Sequence, residues 1–133
     1  MPSFSDKSME ILRTCDPRLQ KIFTEVIHDF DCTVISGHRG EEEQNELVRK
    51  GLSQLSFPQS NHNLNPSLAA DVIPYPADWK DRERFNFFAG FVMGTAMRLS
   101  FFLRWGGDWD GDWQVKDNNF DDLAHFELVT GWK

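Results

Sequence analysis

Apolar residues first recur at helical spacing at Leu19, Ile22, Phe23, Val26, Ile27 and Phe30, one stripe along a helix. Asp16-Pro17 opens it, with an acid at the cap and a proline at the first position, where no backbone N–H is needed. Cys32 to Ser36 is a short β-branched run ended by Gly37 and reads as a strand. A polar helix is predicted from about Glu41 to Lys50. Glu41, Glu42 and Glu43 suit the positive end of its dipole, and Gly51 suits its exit. The unbroken apolar run Ala69 to Ile73, entered from a turn with Pro66 and closed by Pro74, reads as a buried strand. A long helix is predicted from about Trp79 to Ser100. Its first turns carry charge toward solvent, its Phe- and Met-rich later turns read as core, and Gly90 and Gly94 would let another element pack closely. Leu103 to Trp105 reads as a strand closed by Gly106-Gly107, and Val115 to Asn119 as loop. His125 to Val129 alternates and reads as the last strand. This order predicts an α+β domain: a small, mainly antiparallel sheet with helices packed on one side, the longest running across it.

The chain of 133 residues fits one domain, able to bury roughly two-thirds of its unfolded surface. A net charge of −7 argues against binding nucleic acid through a basic patch, and no polybasic segment suits a membrane surface. The first ten residues contain neither the basic nor the apolar part of a secretory signal. The longest apolar zone, Phe85 to Leu103, is broken by Asn86, Gly90, Gly94 and Arg98, so it reads as a core helix and not a membrane span. Two cysteines, Cys15 and Cys32, make no disulfide framework and are expected to stay reduced. With no repeat, linker or low-complexity tract, residues 1–133 are expected to form a single domain, and a monomer is expected.

The chemistry concentrates in two stretches. The first runs from Ser60 to Asp71. Asp71 lies inside a predicted buried strand, where an unpaired carboxylate is costly and calls for a cation or strong donors. His62 lies nine residues earlier, on a loop with enough slack to fold back onto it. A His nitrogen and a carboxylate oxygen converging on one point suit zinc. The plain alternative is an Asp that caps a turn and a His in an ordinary loop. In the second stretch, period 2 puts His125, Glu127 and Val129 on one face and Phe126 and Leu128 on the other. Asp122 precedes His125 by three residues, across an expected turn, close enough to take a proton from an attacking water without binding a metal itself. No HExxH helix is present, which excludes a thermolysin-type site. Asp108, Asp110 and Asp112 alternate as calcium ligands can, but the loop lacks the glycine and closing glutamate of an EF-hand. An acidic loop beside a cleft, with Trp105, Trp109 or Trp113 packing on substrate, is the reading the sequence favours.

The pattern S-x-H…A-x-D followed by D-x-x-H resembles the zinc D-Ala-D-Ala carboxypeptidase and L-alanyl-D-glutamate peptidase family, and within it the small single-domain endolysins of tailed phages. The segments S-G-H-R-G-E-E-E-Q-N-E-L, P-Q-S-N-H-N, A-A-D-V-I-P-Y-P, L-R-W-G-G-D-W and L-A-H-F-E-L carry it, in order, over roughly residues 33 to 129. The resemblance implies a Hedgehog/D-Ala-D-Ala-peptidase-like fold and one zinc ion on His62, Asp71 and His125, with one position open. It implies Asp122 as general base, and Arg39 as the group that reaches the substrate carboxylate or the scissile carbonyl. Read alone, Arg39 would be a solvated arginine paired with a nearby glutamate. Ser60 is expected to hydrogen-bond substrate near the metal. Glu127 could orient a ligand. Gln44 and His38 stay open, Gln44 because its helix position equally suits a solvated face.

The implied substrate is the peptidoglycan stem peptide, cut between L-Ala and D-Glu, by an enzyme without a separate wall-binding domain. Such a protein would be made in the host bacterial cytoplasm and act on the wall after release. Two departures stand out. The commoner family spacing from His to Asp is shorter and contains Gly, where this chain has Pro66; the phage subgroup accommodates the longer loop. Ala124 stands where Pro is common. The acidic balance also runs against the positive charge that wall-lytic enzymes often gain from. The rival readings are a D-Ala-D-Ala carboxypeptidase or dipeptidase, a non-catalytic zinc-containing binding module of the same fold, which an intact Asp122 argues against, and an acidic scaffold with incidental histidines.

Overall fold

A computed structural model describes residues 2–114 and 122–129. The predicted loop at Val115 to Asn119 lies outside the described residues. Four antiparallel strands form one sheet in the order β1-β2-β4-β3: β1 Cys32–Ser36, β2 Ala69–Pro74, β3 Leu103–Gly106 and β4 Asp122–Leu128. The helices are α1 Asp6–Leu12, α2 Pro17–Asp29, α3 Glu41–Arg49 and α4 Arg82–Arg98.

The α2 stripe behaves as its spacing predicts, with Leu19, Ile22, Phe23, Val26 and Ile27 buried. Asp16 caps this helix through the Arg18 backbone N–H, and Pro17 occupies its first turn. Helix α4 crosses β2, β4 and β3 on the same side of the sheet as α2. It is shorter than predicted at both ends. Asp81 caps it by accepting from the Arg84 N–H, and Ser100, in the left-handed region, follows its exit. The core lies between these two helices and the strand residues Val34, Ala70, Val72, Phe126 and Leu128. Phe126 packs edge-on against both Phe23 and Phe88.

Two expectations for α4 fail. A Cβ at Gly90 or Gly94 would meet nothing, so no element packs there. Phe87, Phe91 and Met97 are exposed, because an α-helix on a sheet turns only one side inward and this one is apolar almost all round.

The short helix α1 is absent from the hydrophobic pattern, being only seven residues long. It begins at a Ser5 cap and covers the free edge of the sheet. The Ser8 hydroxyl accepts the Val34 N–H, a donor that edge strand β1 would otherwise leave unpaired. Gly37 follows β1 so tightly against α1 that a Cβ would come within 2.4 Å of Thr14 Oγ1 and 2.8 Å of the Ile11 carbonyl. Cys15 and Cys32 are buried free thiols, and burial pushes them up to about 11 and about 12. No helix among the described residues is long and apolar enough to cross a membrane.

Candidate metal centre

Alternation along the strands gives the sheet a second, polar face. Asp71 on β2 stands directly across from His125 on β4, and Arg104 on β3 directly across from Glu127. His125 and Glu127 are two apart, so all four side chains rise from the same face. A bulge between Val34 and Ser36 brings Ser36 opposite Asp71. A larger irregularity separates the pairs Trp105↔Phe126 and Gly106↔Asp122, leaving three β4 residues against none on β3. That odd offset breaks the simple alternation, and Asp122 comes to lie beside His125 with Oδ2 4.0 Å from Nδ1. The turn expected between these two residues is therefore bulged strand. Gly106 makes this possible, since a Cβ there would strike the Asp122 carbonyl at 2.0 Å.

His62 arrives from outside the sheet, on a single 3-10 turn, Asn61–Asn63. Ser60 caps it: its hydroxyl accepts the His62 N–H at 3.1 Å, while the Asn63 side chain accepts the Ser60 N–H at 3.0 Å. The turn is tied to the segment after β1 by Arg39 N–H to the His62 carbonyl, 2.7 Å, and by the Asn63 amide to the Arg39 carbonyl, 3.1 Å.

Three atoms converge. His62 Nε2, His125 Nδ1 and Asp71 Oδ1 are 3.1 to 3.2 Å apart in every pairing. Both imidazoles are held at their other nitrogen. His62 Nδ1–H donates to the Gly37 carbonyl and His125 Nε2–H to Glu127 Oε1, each at 2.7 Å. A carbonyl can only accept, so a neutral His62 ring carries its lone pair on Nε2. When Glu127 is ionised the same holds for a neutral His125 ring and its Nδ1. Two lone pairs and a carboxylate oxygen thus face one another inside the protein, an arrangement that repels unless a cation or a proton occupies the centre. For a tetrahedral ion with bonds of about 2.0 Å, donors on one face lie about 3.3 Å apart, close to the spacing found. The residues therefore fit a metal, and the partners that fix the imidazoles are of the kind metal-binding histidines need.

The electrostatics of the centre without a metal fit this reading. Burial works against a charge on Asp71, yet His62 and His125 hold its carboxyl well below the usual range. Burial pushes His125 down, but its bonds to Asp71 and Glu127 outweigh it and raise the imidazole to about 9. A proton held so firmly at this point marks a place where a cation is stabilised. Asp122 moves the other way: burial, then the charge of Asp71, push its carboxyl up. Glu127 is held down by His125 and Arg104 in spite of its burial.

Arg39 is buried and points at Asp71, not at a neighbouring glutamate. Its guanidinium donates to Asp71 Oδ2 at 3.2 Å, Gln44 Oε1 at 3.0 Å and Ser36 Oγ at 3.1 Å. It leaves Oδ1 as the oxygen turned to the two histidines. Gln44, open in the sequence, is fully buried and braces Arg39, its amide donating to Ser53 Oγ and the Leu55 carbonyl. His38 contributes its backbone N–H to Thr14 Oγ1. The Gly37 carbonyl has no signature in the sequence, because any residue supplies a carbonyl. Only the tight packing that demands glycine hints at the position.

A cleft of about 1130 Å³ opens over the centre, lined among others by Arg39, Ser60, Trp109, Arg104, Asp122 and Glu127. Trp109 forms one wall, its ring 5.3 Å from that of His125. Trp105 is instead buried, with its indole N–H on the Leu123 carbonyl, and Trp113 lies outside this cleft. Asp108, Asp110 and Asp112 cluster, but their carboxylates accept backbone N–H groups of Asp112, Trp113 and Gln114 and close the loop on itself.

Residues 2–129 match the family described as phage L-alanyl-D-glutamate peptidase. Among solved structures the chain is similar to the Serratia marcescens L-Ala D-Glu endopeptidase ChiX, with 26% identity and a TM-score of 0.75 over 96% of this chain and 91% of that one. No curated protein sequence matches.

Proposed function

The chain belongs to the phage L-alanyl-D-glutamate peptidase family, and from that premise we propose that it hydrolyses the L-Ala–D-Glu bond of the peptidoglycan stem peptide with one zinc ion on His62, Asp71 and His125. The observation that carries the zinc reading is the triangle of donor atoms, each histidine already fixed at its other nitrogen. Two nitrogens and one oxygen at this spacing, with the cleft open on one side, suit zinc at a catalytic site. Zinc held there would supply Lewis acidity, polarising a carbonyl and making water acidic near neutral pH.

The protein's own groups do the rest. Asp122 faces the cleft beside His125, and its raised pKa suits a group that takes a proton and gives it back. It removes the proton of the attacking water and delivers it to the departing D-Glu amine. Arg39 fixes Asp71, and its guanidinium borders the cleft where negative charge grows on the carbonyl oxygen. Glu127 holds the His125 ring. Ser60 secures the turn that carries His62 and lines the cleft, which supports its reading as a substrate contact. In this reading the protein lyses a bacterial host from within, reaching the wall after release from the cytoplasm.

The test is a digest of purified peptidoglycan with fragments identified by mass. New N-terminal D-Glu, lost on chelation and restored by zinc, is expected. Release of D-Ala alone would move the protein to the carboxypeptidase branch, and full activity without metal would remove zinc from the account.

A further inference from the structure

Among the described residues that line the cleft, two carry a fixed positive charge, Arg39 and Arg104. They differ in availability. Arg39 has only 8% of its side chain exposed, and each of its three nitrogens already donates to a protein group. The Arg104 side chain is 41% exposed, and its described partner is Glu127, Nε to Oε2 at 3.6 Å, an ion pair too long for a hydrogen bond. Arg104 rises from the same face as His125, across the strand pair from Glu127, so one glutamate and one imidazole ring separate it from the donor triangle. The cleft's other charged walls include Glu43, Asp110 and Asp122, which repel an acidic substrate.

A D-Glu residue brings two carboxyl groups, and only one continues the peptide. When the chain continues through the side chain, the α-carboxylate stays on the carbon that bears the scissile nitrogen. It must then sit close to the metal, among acids, and needs a cation. We propose that Arg104 is the specificity-determining residue of this site and binds the free α-carboxylate of D-Glu on the leaving side of the bond. The planar guanidinium offers two parallel N–H groups to a carboxylate. A carboxamide at that position cannot form the same charged pair. The enzyme therefore distinguishes stem peptides with free D-Glu from those in which this carboxyl is amidated. This inference rests on the L-Ala–D-Glu reading.

The experiment compares two synthetic peptides, L-Ala-D-Glu-L-Lys joined through the glutamate side chain and its α-carboxamide, with the zinc-loaded protein. Wild type should favour the free acid by roughly 10- to 100-fold in kcat/KM, the worth of a hydrogen bond to a charged group. In Arg104→Gln the preference should collapse through a higher KM for the acid, the acid losing far more than the amide. Arg104→Lys should keep part of it. Equal losses on both peptides, or a wild type indifferent to the amide, would overturn the assignment and leave Arg104 a prop for Glu127. A wild type that cuts neither peptide, while zinc-loaded and folded, would instead bring down the L-Ala–D-Glu reading itself and this inference with it.

Discussion

Along β2 and β4, neighbouring residues go to opposite faces of one sheet. Ala70, Val72, Phe126 and Leu128 enter the core, whereas Asp71, His125 and Glu127 look toward the cleft. On the core face each residue touches several others, and no contact is unique. Phe126 meets Phe23 and Phe88 among others, so its energy is spread over many weak contacts. On the cleft face each polar atom has one or two named partners. His62 Nδ1 depends on one carbonyl, His125 Nε2 on one carboxylate, and Asp71 Oδ2 on one guanidinium. The core face should degrade by degrees, and the cleft face should fail all at once.

Substitution on both faces tests this contrast. The largest effect is expected from His62→Ala and His125→Ala, which should lose bound zinc and activity together, in metal analysis and turnover assays. Phe126→Ala should cost about 3–5 kcal/mol in a denaturant melt, yet the folded fraction should still bind zinc and cleave. Asp122→Ala comes next. It should keep zinc and melting temperature and lose on the order of 10²–10⁴-fold in turnover, the range of general acid–base catalysis. Loss of zinc in that variant would make Asp122 a ligand. Retained turnover would move the base elsewhere, with Glu127 the next candidate. Glu127→Gln should weaken zinc by roughly 10- to 100-fold in a competition titration, since it only orients a ligand.

The smallest effect is one of pH, and it has opposite signs with and without metal. In the metal-free protein His125 titrates at about 9, above its ordinary 6.5. The stabilisation tied to its imidazolium is complete below pH 6.5 and is lost as pH rises through about 9. The metal-free melting temperature should fall across that window. With zinc bound, protons compete for the same donors, so stability should fall as pH drops. Parallel slopes for the two forms would argue that the ion binds elsewhere.

The core face was the more legible in the sequence. The α2 stripe and the alternation in β4 are repeated signals, and repetition survives errors at single positions. The three residues of the donor triangle were legible because His62, Asp71 and His125 sit in motifs with an order and a spacing. Their supports were not. Gln44 stays open in the sequence, since its helix position suits a solvated face as well as a site, and it is buried beneath Arg39 because burial on a polar helix is decided by a loop that packs over it. Ser60 lines the cleft as its expected role requires, but its second task, capping the turn of His62 with its hydroxyl, is set by the fold of the loop and not by the motif. The bulge that carries Asp122 to the cleft side is a matter of pairing between strands, which the β4 sequence alone does not encode. Helix α1 is too short to leave a hydrophobic pattern, although it covers the strand edge from which Gly37 reaches His62.

The central claim is that His62, Asp71 and His125 share one zinc ion. The X-ray absorption spectrum of the zinc-loaded, active protein tests it most directly. Two imidazoles with oxygen donors and no sulfur are predicted, and one imidazole should be missing in His125→Ala. A sulfur donor, a single imidazole in the wild type, or an active preparation without zinc would contradict it.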